Sequence, residues 1–300
     1  MVARKTALLL SVSGLVIAAI AMLMLSSLRR AGTPDHASAS RRSSAPEMMR
    51  EDAIHAAGHP SVATSAQDPT PDFESAPDLR RFLDSILQRA KYGDPEAQWA
   101  MFQTHEYCKG YARSPARFSM ETEALANGIP QGQASRLKEA RSRVSDRCRN
   151  IMPSDIPSEA DLLSLLADAA GSGHLAAKAS LLSLDVDHAS PDEDVRQITQ
   201  HVRQSRDPQA YLAISNAMGI GASGRENVFG DVSGTEYATY AWQIAACRRG
   251  LACGPSSAIM TSYCSAGGVC GQFTDLRDLI LNGLVPSRDA ARVEEMAAGL

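Results

Sequence analysis

The stretch GDPEAQWAM at residues 93–101 returns as RDPQAYLAI at 206–214. In both, Asp-Pro is followed by an acid or amide, then Ala, then apolar residues at matching offsets. A looser form, Gly or its substitute with Ala four residues on, stands at Gly173/Ala177 and Gly254/Ala258. The four starts, at 93, 173, 206 and 254, lie 80, 33 and 48 residues apart, and the first gap has room for two units. Recurrence at roughly 33–48 residues marks stacked helix pairs, because one pair leaves an apolar face that the next must cover.

The local texture is helical from Asp78 onward. Apolar residues recur three and four apart, and strictly alternating β-branched runs are scarce. DLRRFLDSILQRA carries Leu79, Phe82, Leu83, Ile86 and Leu87 on one face. KYGDP then supplies a glycine stop and an Asp-Pro start before EAQWAMFQTHEYC resumes the helix. SEADLLSLLADAA with HLAAKASLLSL, PDEDVRQITQHVRQS with RDPQAYLAISNAM, and EYATYAWQIAAC with PSSAIMTSYC follow the same plan. SMETEALANGIPQGQASRLKEARSRVSDRC supplies a degenerate unit for the first gap, and Gly-rich 219–234 is the long break between units.

The Gly-Asp-Pro-Glu-Ala-Gln core at 93–98, and the Ala-Ala-x-x-Gly that closes ADAAGSG, resemble Sel-like repeats of the tetratricopeptide superfamily. The resemblance covers 79–110 well, and 160–218 and 235–266 loosely. The Tyr-x-x-Gly-x-Gly-Val segment usual between such units is missing. The resemblance implies an all-α solenoid of stacked antiparallel helix pairs over 77–300 that binds proteins along a concave groove. It supplies no catalytic residue. By the same analogy, Gln98, Trp99 and Tyr107 in the first unit and Tyr211 and Asn216 later are candidate binding residues, with Trp99 equally suited to the core.

Six cysteines are present, four of them in two copies of Cys-x-x-Gly-x-x-Cys-Gly: CRRGLACG at 247–254 and CSAGGVCG at 264–271. In each, the first Cys falls in the last turn of a helix and the Gly just past its end, where a left-handed residue reverses the chain. Local Cys247–Cys253 and Cys264–Cys270 bonds then staple each helix end to its exit loop, for roughly 2.4 kcal/mol each on the loop-entropy model. Cys108 and Cys148 pair across a longer loop, for roughly 3.9 kcal/mol. Crossed pairing, Cys247–Cys264 with Cys253–Cys270, is the alternative, since spacing does not fix connectivity. Zinc is disfavoured by five residues between paired thiols, and a catalytic dithiol by the lack of Cys-x-x-Cys.

The first thirty residues bear on compartment. A short tail (1–5) with Arg4 and Lys5 precedes an uncharged apolar run over 6–28, long enough to span a bilayer and closed by Arg29 and Arg30. An uncleaved anchor is expected; a cleavable signal, with a shorter apolar run and a small-x-small site, is the competitor. Residues 29–76, rich in Ala, Ser, Pro and charge, read as a disordered tether. Arginines after the span favour a cytoplasmic body by the positive-inside tendency, whereas the even set of cysteines favours an oxidising compartment. The expected arrangement is a single-pass inner-membrane protein with its body in the periplasm.

No motif for hydrolysis, phosphate binding or metal-dependent proteolysis appears. His105 reads as a surface histidine and His174 as a helix-start residue. The Asp-rich stretch near His188 lacks a calcium-loop frame. A net charge of −4 gives no electrostatic case for nucleic acid. The expected function is a membrane-tethered extracytoplasmic protein-interaction module or scaffold with a protein or peptide partner in the cell envelope, no cofactor and no enzymatic activity. Two alternatives stand beside it. One is a folding assistant for a secreted client, since lipase foldases resemble this layout of anchor, tether and helical body, although their Phe-Asp-Tyr signature is missing. The other is a peptidoglycan-cleaving enzyme built on paired carboxylates.

Overall fold

The computed structural model of the chain describes residues 72–184 and 190–300. The tail, the anchor expected over 6–28 and the tether as far as residue 71 lie outside the described residues, as does the stretch around His188. Within the described residues no strand occurs, and no helix is long and apolar enough to cross a membrane. The body is all-α, with its helices stacked in pairs and three disulfides. Its helices of eight residues or more are α1 (Leu79–Lys91), α2 (Pro95–Ala112), α3 (Pro115–Asn127) and α4 (Gln131–Cys148), then α5 (Glu159–Gly171), α6 (Leu175–Leu184), α7 (Asp192–Gln204) and α8 (Pro208–Met218). α9 (Glu236–Arg248), α10 (Ala258–Ser265) and α11 (Ala290–Ala298) complete the set.

The recurring sequence frame corresponds to a recurring helix start. Asp94 caps α2 by accepting from the amides of Glu96 and Ala97 at 3.0 and 3.2 Å. Asp207 caps α8 through Gln209 and Ala210 at 2.9 and 3.2 Å, and each cap is followed by Pro, whose missing N–H costs nothing there. His174 takes the same position at α6, its ring Nδ1 accepting from the Ala177 amide at 3.3 Å. In the fourth copy the helix begins two residues later, and Ser257 is the cap. The alanine of every copy, Ala97, Ala177, Ala210 and Ala258, is buried. A methyl at that point lets the next helix approach closely, which explains why alanine recurs.

α1 packs on α2, α2 on α5, α5 on α6, α6 on α8, α8 on α9, and α9 on α11, while α7 lies outside against α6 and α8. Alanines 176, 177, 179 and 210 are fully buried at the centre, beside Tyr211 and Trp242, whose rings are 5.3 Å apart. Past α10, a turn at Leu276–Asp278 runs into a π-helix, Leu279–Leu284. This segment and α11 cover the far side of α9 with Leu276, Leu279, Ile280, Val293 and Met296. No helix pair was expected from the sequence there.

The α3–α4 hairpin leaves the stack. α4 packs against α1 and α2 and also against α10. Arg141 on α4 is 6% exposed, and its guanidinium lies 3.6 Å above the Phe118 ring. It donates to the Phe118 carbonyl, the Thr122 hydroxyl and the Ser265 carbonyl at 3.0, 2.6 and 3.0 Å. Burial lowers its pKa, opposed by the Glu121 carboxylate.

All six cysteines are paired, as Cys108–Cys148, Cys247–Cys253 and Cys264–Cys270. The two short bridges are thus local and not crossed. The two frames differ in detail: the left-handed residue is Gly250 (φ +103°) in the first, but Gly268 (φ +71°), one place beyond the matching glycine, in the second.

Candidate functional site

The second helices of three pairs, α2, α6 and α8, line one groove together with α9. Phe102 and Gln103 of α2, Ser183 of α6, Gln209 and Asn216 of α8 and Gln243 of α9 contribute to this groove, which encloses about 470 Å³ and is closed on one side by Ile259 and Ser262 of α10. A smaller cavity of about 310 Å³ adjoins it and shares Phe73, Glu74, Gln103 and Gln209 as walls. Gln103 donates to Gln209 across the two helices at 2.8 Å, and Gln243 accepts from the Tyr263 hydroxyl at 2.7 Å. Glu74 and Glu106 are the charged residues in the lining of the larger cavity, which includes no Lys or Arg.

The chain enters the body through this groove. Asp72–Ser75 forms a turn, fixed by the Ser75 amide on the Asp72 carboxylate at 2.7 Å. Residues 72–76 were expected to be disordered tether; they are folded here because Arg147 of α4 holds them. Its guanidinium donates to the carbonyls of Phe73 and Ala76 and lies within 5.1 and 5.0 Å of the Phe73 and Tyr107 rings. Phe73 meets Tyr107 edge to face, with ring centres 5.7 Å apart. Glu74 reaches the start of α10, where its carboxylate accepts from the Ala258 amide at 3.1 Å. Burial pushes the Glu74 carboxyl above its ordinary value, against that hydrogen bond and Arg147, which pull it down.

Tyr107 and Asn216 line the groove, and burial pushes the Tyr107 phenol up. Burial takes the other three candidates off its surface. Gln98 is 7% exposed and donates to the Ala90 carbonyl at 3.4 Å. Trp99, also 7% exposed, stacks on Phe102 and His174 at 5.6 and 5.4 Å and belongs to the central core. Tyr211 is fully buried, its hydroxyl donating to the carbonyls of Arg203 and Leu300 at 3.0 and 3.1 Å. Gln98 and Tyr211 hold the same place in the repeated frame, and that place faces inward in both copies.

Phe73, Glu74, Gln103, Gln243 and Arg147 were not picked out from the sequence. Gln103 had a usable signal, lying one turn beyond Trp99 on α2; the others depend on contacts between distant segments. His105, expected at the surface, is 4% exposed on α2, and burial lowers its pKa. Among the described residues no three His, Cys, Asp or Glu side chains gather to hold a metal ion. No protein-family model, no curated protein and no solved structure matches the chain.

Proposed function

We propose that the chain is a membrane-tethered, extracytoplasmic interaction module whose groove takes a segment of a partner protein. The observation that carries this reading is the Phe73–Ala76 segment. It is a stretch of peptide already seated there, its carbonyls on Arg147, its aromatic ring on Tyr107 and its acid on the first amide of α10. The open remainder of the groove presents the amides of Gln103, Gln209 and Asn216, which offer both donors and acceptors to a peptide backbone. The matched caps at Asp94 and Asp207 support a repeat module of the Sel-like type. Three disulfides support an oxidising compartment for the body, in keeping with a periplasmic location. The apolar run over 6–28 supports the anchor.

The test is capture from intact cells. Full-length protein with Gln103→Ala and Asn216→Ala should lose its crosslinked partner while keeping its helical circular dichroism and melting temperature. A partner retained by that variant, and lost only when the fold collapses, would end the groove reading. A secreted client as the captured species would point to a folding assistant, and a fixed envelope complex to a scaffold.

A further inference from the structure

A third cavity, of about 500 Å³, opens between α4 and the loop closed by the Cys264–Cys270 disulfide, and shares no lining residue with the groove. One wall is charged, formed by Arg136, Glu139 and Arg143 of α4. Arg136 and Arg143 stand seven residues apart on α4, so two helical turns set them on one face, about 10 Å apart along the axis. Arg143 donates to the Thr261 hydroxyl at 3.2 Å and to the carboxylate of Glu139, which is 70% exposed, at 2.8 Å. Arg136 is half-buried and uses only its Nε, on the Cys270 carbonyl at 2.7 Å. Among the described residues the two Nη nitrogens of Arg136 have no hydrogen bond, and its guanidinium has no ion pair.

The lining also has an apolar part, Met260, Val269, Phe273 and Leu279. Phe273 is held there by two glycines: a Cβ on Gly271 would come 2.0 Å from its ring, and one on Gly283 2.6 Å. Gly283 and Leu279 both belong to the π-helix, a form rare in general and frequent at functional sites. Thus a guanidinium fork with free donors and an aromatic ring that the backbone has been shaped to admit line one cavity.

We propose that this cavity binds an organic carboxylate, with its two oxygens on the free end of Arg136 and an apolar group against Phe273. The planar fork of arginine matches a carboxylate bidentately, and a charge-assisted pair of this kind is stronger than a neutral one. The same chemistry comes from two sources: a free carboxylic acid, or the α-carboxylate at the end of a polypeptide with an apolar last residue.

Calorimetry on the full-length, fully oxidised chain separates the outcomes. N-acetylphenylalanine should bind, and its primary amide should bind at least about tenfold more weakly. A tetrapeptide ending in phenylalanine with a free carboxylate binds more tightly than N-acetylphenylalanine if the source is a polypeptide terminus, and more weakly if it is a small acid. Arg136→Gln should weaken the acid about 10- to 100-fold, and Arg136→Lys, which keeps the charge and loses the fork, should also weaken it. Equal binding of acid and amide, no binding of either acid, or wild-type affinity in Arg136→Gln would overturn the proposal. Should Arg136→Gln fail to fold, the acid–amide comparison on the unaltered chain decides.

Discussion

The Glu74 carboxylate and the Ala258 amide, 184 residues apart in the chain, form a 3.1 Å hydrogen bond at the first turn of α10. This bond and the Arg147 clamp on Phe73 join the point where the chain enters the body to both α4 and α10.

The Glu74 pair gives a prediction about pH. Burial raises the folded-state pKa of Glu74 above its ordinary value of 4.5. The folded state therefore holds a proton that the unfolded chain releases first, and stability falls as pH rises from that value through the raised one. Glu74→Gln keeps the acceptor and removes the charge. It should melt at or above the parent temperature at pH 7 and show a shallower loss of stability over that window. Glu74→Ala should melt lower, because the Ala258 amide loses its partner. A Glu74→Gln protein that melts clearly below the parent at pH 7 would show that the charged hydrogen bond outweighs burial.

Arg141 is the second test. Its removal strands the Ser265 carbonyl and leaves the Phe118 carbonyl and the Thr122 hydroxyl paired with each other, at 2.7 Å. Arg141→Ala should cost about 2–4 kcal/mol in denaturant unfolding. Arg141→Lys should recover only part, since one ammonium cannot serve three acceptors in three directions. Hydrogen exchange should rise first in α3 and α4.

The bridges differ in loop length. Cys108–Cys148 closes a separation of 40 residues, and the two local bridges close 6 each. On the loop-entropy model, removing the long bridge should lower stability by about 4 kcal/mol and either short one by about 2 kcal/mol. Equilibrium unfolding of the three double Cys→Ala variants measures the order. Peptide mapping without reduction should recover the same three pairs from cells, and six reduced thiols trapped at lysis would refute an oxidising location.

Core and groove positions should separate. Tyr211→Phe removes a hydroxyl bonded to Arg203 and Leu300 and should cost about 1–2 kcal/mol of stability. Asn216→Ala, at an exposed groove position, should change stability by less than about 0.5 kcal/mol and act on partner capture instead.

The helices were legible because their signals are local. Asp-Pro starts, glycine stops and apolar residues three and four apart act within one or two turns, and the recurring alanine records how closely neighbours pack. Leu87, placed with the apolar face of α1, is half-buried, at the edge of that face. The groove was not legible in the same way. Its walls follow from α2 packing on α5 and α6 on α8, an order that no single segment encodes. Analogy placed Gln98 and Tyr211 on the binding surface, yet their shared repeat position faces the core. The Phe73 segment looked like tether because its composition is polar, and only Arg147, on another helix, shows why it folds.

The position of α4 sets an order of events during synthesis. Leu137 and Ala140 of α4 are covered by the Cys264–Cys270 loop, so this face stays bare until the last fifth of the polypeptide has emerged. Such late pairing slows folding and prolongs the exposure of apolar surface. Cys108 and Cys148 have both emerged well before then and can oxidise early, fixing the nascent N-terminal part while it waits for its cover.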